Sequence, residues 1–220
     1  MSEVKIIPVP TRILTDADDI VDAIEYYAGS QVTADDLVCC AESVVAVTQG
    51  RFVRPEELEI SQLAKFLCRF IPDYGSLATP HGMQALMDVE GEWRVAAALF
   101  AGFLGKIVGK NGLFYKWGGK EAALIDDVTG TMPPFDKVVV YGPAEPERVA
   151  ARIRDRVGAF GGMIADVNDL KRSRVVGVSD GVNGELASNL LLDNPFGNAS
   201  QKTPICIIKN YRQYQESHTA

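Results

Sequence analysis

A mixed α/β fold, α/β or α+β with mixed sheets, is predicted for this 220-residue chain by three observations. Short apolar runs rich in β-branched residues recur along it. Stretches with apolar residues at helical spacing separate them. The third is a direct succession of strand, helix and strand, "DKVVVYGP", "AEPERVAARIRDRVG" and "GGMIAD". That succession predicts at least one βαβ unit with parallel strands and a right-handed crossover.

The elements follow in order. "VKIIPV" over 4–9 reads as a first strand, and "TDADDIVDAIEYY" as a helix in which Thr15 and Asp18 resemble a capping box. "DLVCCAESVVAV" over 36–47 reads as one buried strand, bent near Glu42, with Cys39 and Cys40 on opposite faces. Pro55 suits a first helical position, with Leu63, Leu67 and Phe70 continuing a stripe. Residues 71–82 read as a loop and 83–108 as one or two helices. The apolar window Val95–Val108 is too short for a bilayer span and contains Lys106, so it reads as a buried helix. After the turn signal Asn111-Gly112, the aromatic segment is expected to be extended.

Beyond the strand–helix–strand unit, "RVVGVSDGV" reads as a strand, "NGELASNLLLDN" as a helix and "TPICIIKN" as a last strand. The polar tail after Tyr211 is expected to be loose. No linker separates the parts, so a single domain over 1–220 is expected.

An apolar content of 47% with 23% charged residues excludes a disordered chain. The formal net charge of -7 argues against nucleic-acid and anionic-membrane partners, both of which need a basic surface. The four cysteines form no C-x-x-C pair and read as reduced, buried side chains of a cytoplasmic protein. Ser2, Glu3 and Lys5 interrupt any apolar leader, so no signal peptide is expected.

Two acids stand out. Asp166 ends the apolar run of "GGMIAD", and Asp126 ends that of "EAALIDDVTG". Ligands of open α/β sheets bind outside strand carboxyl ends. Two carboxylates meeting there would repel, and a hard cation such as magnesium, manganese or calcium would relieve them. The same pattern also suits plain turns and helix caps. The small-residue segment "LDNPFGNASQKTP" over 192–204 could bring backbone amides to an anion or simply connect two elements. Walker, dinucleotide, zincin and serine-hydrolase motifs are absent, and only His81 and His218 exist, so a histidine triad is not expected.

Taken together, "IIPVPTRIL", "DDLVCCAESVVAVTQGRFVRPEEL", "IDDVTG", "MIADVNDL" and "GELASNLLLDNPFGNASQKTPICIIK" occur in an order that resembles the γ-glutamyl ligase acting on the deazaflavin coenzyme F-420. The likeness covers most of the chain and is weakest across 72–120. It implies a mixed α/β fold in an intertwined homodimer. It implies a GTP- and divalent-metal-dependent ligase, using magnesium or manganese. Such an enzyme joins L-glutamate to a carboxylate of a phosphorylated deazaflavin through an acyl phosphate. By that likeness Asp126 and Asp166 are metal ligands. Pro10, Thr11, Arg12 and Ser43, with Asn194, Gly197, Asn198 and Gln201 of the 194–203 loop, face the nucleotide. Glu185 falls near the family's acidic helix start.

The chain departs from the pattern at four places. Val47 stands where the family has Lys, Glu42-Ser43 where it has Ser-Thr, Val167 where it has a metal-ligating Thr, and Thr129 where it has Asn. Lys116, Lys120, Lys171 or Arg172 could replace the missing cation. The departures keep two further readings open. One is a non-catalytic paralogue that binds a metal or small anion as a sensor or interaction module. The other is a metal-dependent phosphohydrolase.

Overall fold

A computed structural model describes residues 4–72, 75–110, 112–125, 133–168, 170–197 and 201–219. In chain order the elements are β1 (Lys5–Val9), α1 (Ile20–Ala28), β2 (Leu37–Ala41), α2 (Glu42–Thr48), β3 (Phe52–Val53), α3 (Gln62–Leu67), α4 (Pro80–Glu90) and α5 (Glu92–Ile107). Then come α6 (Leu113–Trp117), β4 (Val139–Val140), α7 (Pro146–Val157), β5 (Gly161–Asn168), β6 (Arg172–Val178), α8 (Gly184–Leu190), β7 (Ile205–Lys209) and α9 (Tyr211–His218). The fold is mixed α/β. The polypeptide packs as two compact units, 1–50 with 143–220, and Arg51–Gly142.

The first unit is built on a five-stranded mixed sheet in the order β1-β7-β2-β5-β6. β2 and β5 are parallel, while β7 runs antiparallel to both β1 and β2, and β6 antiparallel to β5. The inner strands carry apolar side chains on both faces, which is why "LVCC" and "ICII" read as continuous runs. One face packs Val38, Cys40, Ile164, Ile205 and Ile207 against α1 and α7 through Ile24, Val149 and Ile153. The other packs Cys39, Met163, Cys206 and Ile208 against Ala187 of α8, Leu191 and Tyr211 of α9. Cys39 and Cys40 thus face opposite layers, and all four cysteines are free and buried. Gly162 is what lets α7 lie so close: a Cβ there would stand 2.1 Å from the Ala150 carbonyl oxygen.

The second unit gathers α3, α4, α5 and α6 around Met83, Leu86, Met87 and Val95, with β3 and β4 as a two-stranded antiparallel sheet. Its first and last residues are tied to each other. Arg51 reaches the Gly142 carbonyl oxygen, and the two Glu121 carboxylate oxygens accept from Arg51 Nη2 at 2.5 Å and from the Gly142 N–H at 2.8 Å.

Several expectations are corrected. The "DKVVV" strand does not pair with β5: β4 pairs with β3, and the parallel partner of β5 is β2. The run over 36–47 is a strand only to Ala41, and Glu42 opens a helix. The first helix starts at Ile20 with Asp19 as its cap, while Thr15 and Asp18 close a turn before it. Pro55 opens only a short 3₁₀ turn, and the helix that follows starts after Ser61. Residues 71–82 are not all loop, since α4 opens at Pro80. The aromatic segment 113–117 is helical, not extended. The tail after Tyr211 forms α9, and Tyr211 is wholly buried. The Val95–Val108 window is a helix that leaves much of its apolar surface exposed. No helix among the described residues is long and apolar enough to cross a membrane.

Candidate functional site

The strand directions place the carboxyl ends of β1, β2 and β5 at one edge of the five-stranded sheet, beside the start of β7. The chain leaves β1 through Pro10 and Thr11, and the Thr11 N–H donates to the Lys202 carbonyl at 2.8 Å. At the end of β2 the Ala41 N–H donates to the Pro204 carbonyl at 2.9 Å. The turn 10–12, the start of α2 and the segment leading into β7 are therefore held along that edge by backbone hydrogen bonds.

Thr11 is buried, and its hydroxyl donates to the Arg12 carbonyl at 2.7 Å. The Arg12 guanidinium grips Asp18, with Nη1 2.9 Å from one carboxylate oxygen. That pairing, with the Thr15 N–H, holds the Asp18 carboxyl below its usual range. Ser43 is the second residue of α2 and half-buried. Val47, where a cation was expected on family grounds, is buried in the core.

Within the 194–203 segment, residues 194–197 and 201–203 contact one another. Asn194 and Gly197 both adopt positive φ, and the Gly197 N–H donates to the Asn194 carbonyl at 3.0 Å. The Gln201 side chain folds over Gly197, filling the space a Cβ would need. Phe196 anchors the segment in the core, and the Thr203 hydroxyl donates to its carbonyl at 2.6 Å. Asn198 lies outside the described residues.

Asp166 is not a strand terminus. β5 runs on to Asn168, and Asp166 pairs in register with Arg174 across the β5–β6 hairpin. It stands one residue beyond the point where β2 stops pairing with β5. Two residues on, the Asn168 Oδ1 accepts from the Leu170 N–H at 3.0 Å and the Arg172 N–H at 3.3 Å, closing the hairpin. The carboxylate of Asp166 lies 3.3 Å from Arg174 Nη2, and the same nitrogen lies 3.6 Å from the nearly buried Glu42 carboxylate.

A single guanidinium thus bridges Glu42, just past the end of β2, and Asp166, two residues before β5 ends. Arg174 was missed by sequence reasoning. Of the cations considered instead, Lys171 pairs with Asp193 at 3.4 Å, and Arg172, Lys116 and Lys120 are exposed. Glu185, in the first turn of α8, is exposed as well.

Asp126 and Thr129 lie outside the described residues. The residues before them correct one expectation: Glu121–Ala123 is a 3₁₀ turn, so the apolar run up to Ile125 is not a strand. Among the described residues no three His, Cys, Asp or Glu side chains gather as a metal site would require. Asp166 and Glu42 already share the charge of Arg174, so these two acids alone do not fit a divalent cation.

In comparisons with known proteins the sequence matches no protein-family model and no curated protein.

Proposed function

We propose that this chain is a nucleotide-dependent acid–amine ligase of the γ-glutamyl ligase type. It would join L-glutamate, or another amine, to a phosphorylated carboxylate acceptor. The supporting observation is the convergence at one sheet edge of the 10–12 turn, the start of α2, Asp166 and the segment entering β7. Strand carboxyl ends of α/β sheets are where ligands bind.

In this reading the acceptor carboxylate attacks the γ-phosphorus of GTP, a C–O–P linkage forms and GDP departs. The amine then attacks the acyl carbon and inorganic phosphate leaves. The charge that builds on the transferring group needs cations aimed at it. Arg12 and Arg174 are two guanidinium groups that could supply that charge. Magnesium or manganese belongs to the reading on sequence grounds through Asp126 and Asp166. A cytoplasmic location, small-molecule substrates and a homodimer belong to it too.

A second reading is favoured by one feature. Arg174 stands as a fixed cation between Glu42 and Asp166. With its charge shared by two carboxylates, Arg174 serves as a structural bridge, as suits a non-catalytic module that holds its ligand without turning it over.

Incubation with GTP or ATP, manganese, glutamate and a phosphorylated deazaflavin, followed by mass spectrometry, separates the two. A glutamylated product with nucleotide consumption supports the ligase. Nucleotide binding without product supports the module, and absence of nucleotide binding rejects the ligase. Calorimetric titration with manganese tests the metal: equal binding by wild type and Asp166→Ala removes Asp166 as a ligand.

A further inference from the structure

Helix α5 turns large apolar side chains to solvent. Trp93 is 85% exposed, Phe100 64%, Phe103 61% and Ile107 67%, and Leu104 and Val108 are exposed beside them. At 3.6 residues per turn these six fall in an arc about 140° wide. The unit's own core uses the opposite side of the helix. Val95, Ala98 and Gly105 are buried there, and α6 approaches so closely that a Cβ on Gly102 would meet the Phe114 Cβ at 2.9 Å. The charged residues Glu92, Arg94 and Lys106 all fall outside the apolar arc.

The spacing of the stripe identifies what fits it. Trp93, Phe100, Phe103 and Ile107 follow one another at steps of seven, three and four residues, the repeat of helices that pack along a shared seam. A second copy of this chain presents the same repeat, so a two-fold axis across the stripe makes it self-complementary.

The exposed surface is adequate. Fully covered aromatic side chains bury roughly 150–250 Å² each, so the stripe offers on the order of 700 Å² per copy, against the ~800 Å² per partner of a standard stable interface. Tyr115 and Trp117 of the adjoining α6 extend it. A membrane surface suits it less well, because the chain carries a net charge of -7 and the arc itself holds no basic residue.

We propose that two copies of this chain pair through α5, helix against helix about a two-fold axis. The proposal does not rest on the ligase reading, since α5 lies within 72–120, where the likeness to that family is weakest.

The test is sedimentation velocity on the full chain at micromolar concentrations. Wild type is expected to sediment as a dimer. Phe100→Glu with Phe103→Glu, and separately Phe100→Lys with Phe103→Lys, are each expected to give monomers with unchanged far-UV circular dichroism. An equimolar mixture of the acidic and basic variants is expected to restore the dimer, which a merely misfolded variant would not do. A monomeric wild type, a dimer indifferent to both substitutions, failure of the mixture to pair, or co-flotation of monomeric wild type with phospholipid vesicles would each overturn the proposal.

Discussion

Arg174 Nη2 lies 3.3 Å from the carboxylate of Asp166, its register partner across the β5–β6 hairpin. The same nitrogen is 3.6 Å from Glu42, whose side chain is far less exposed than that of Asp166. The two contacts differ in value. The Asp166 pair is open to water and screened, so it contributes little to stability. Glu42 is the acid that depends on the cation, because water reaches it poorly.

Replacing Arg174 by Ala is therefore expected to destabilise the protein by about 1–2 kcal/mol, between the values for exposed and buried pairs. Urea unfolding at neutral pH measures it. In a Glu42→Gln background the cost of Arg174→Ala should shrink, whereas in an Asp166→Asn background it should stay nearly the same. A cycle with the opposite ranking would show that Glu42 does not need Arg174.

Asp36 is a second buried acid, and its partners are complete. It is fully buried at the start of β2, paired with Lys209, and accepts from the Thr33 N–H at 2.7 Å and the Asn210 N–H at 2.9 Å. Burial pushes its pKa up, but Lys209 and the two N–H groups outweigh burial and leave it below the ordinary carboxylate value. A depressed folded pKa contributes stability that is present above the unfolded value of about 3.9 and is lost as pH falls through the folded value. Lys209→Met should cost about 3 kcal/mol at pH 7 by leaving a buried charge without its counter-ion. The deficit should narrow as pH falls, because without Lys209 burial raises the folded pKa of Asp36 and the variant takes up its proton before wild type does. Chemical denaturation of both proteins from pH 3 to pH 7 checks the sign, and a pH-independent deficit would contradict it.

How far the sequence could be read depended on which contacts are local. β2, β5 and β7 were legible because strands covered on both faces carry unbroken apolar runs. α7 was legible because Val149, Ile153 and Val157 mark one side of it. Glu42–Thr48 was not, because Val44, Val45 and Val47 favour a strand and only packing against the sheet makes them helical. The Arg174 bridge was invisible for another reason. It follows from hairpin register, and a shift of one residue would turn Arg174 to the other face. Asn168, two residues after Asp166, spends its side chain on the hairpin turn.

Arg51 and Glu121 close the second unit. Glu121 is the one buried acid among the described residues of the unit, and it holds both Arg51 and the Gly142 N–H. The end residues of the unit are thereby joined by side chains as well as by the Tyr141 N–H to Arg51 carbonyl bond of 3.0 Å. Glu121→Ala removes the acceptor for both and leaves the partly buried guanidinium without its counter-ion. A loss of about 2–3 kcal/mol is expected for a charge-assisted network of this kind. Hydrogen exchange should show faster exchange at Gly142 and across α6, with the amides of β2 and β7 unchanged. Uniform acceleration over the whole chain would show that the contact does not act within its own unit.

Tyr211 explains why a polar tail is ordered. Its ring is wholly buried among the side chains of the α8 face, and its hydroxyl donates to the Asn183 carbonyl, the cap of α8. Burial pushes the phenol far above its usual titration range. Asn183 in turn caps α8 by accepting from the Leu186 N–H at 3.1 Å. Two effects can be separated by substitution. Tyr211→Phe keeps the ring and loses one hydrogen bond, so it should cost about 1 kcal/mol. Tyr211→Ala opens a cavity under the sheet and should cost about 3–5 kcal/mol, the range for large aromatic deletions in cores. Thermal or urea unfolding of both variants measures the difference. Equal, small effects would mean that α9 does not hold the sheet face, and that the polar tail is as dispensable as its composition suggests.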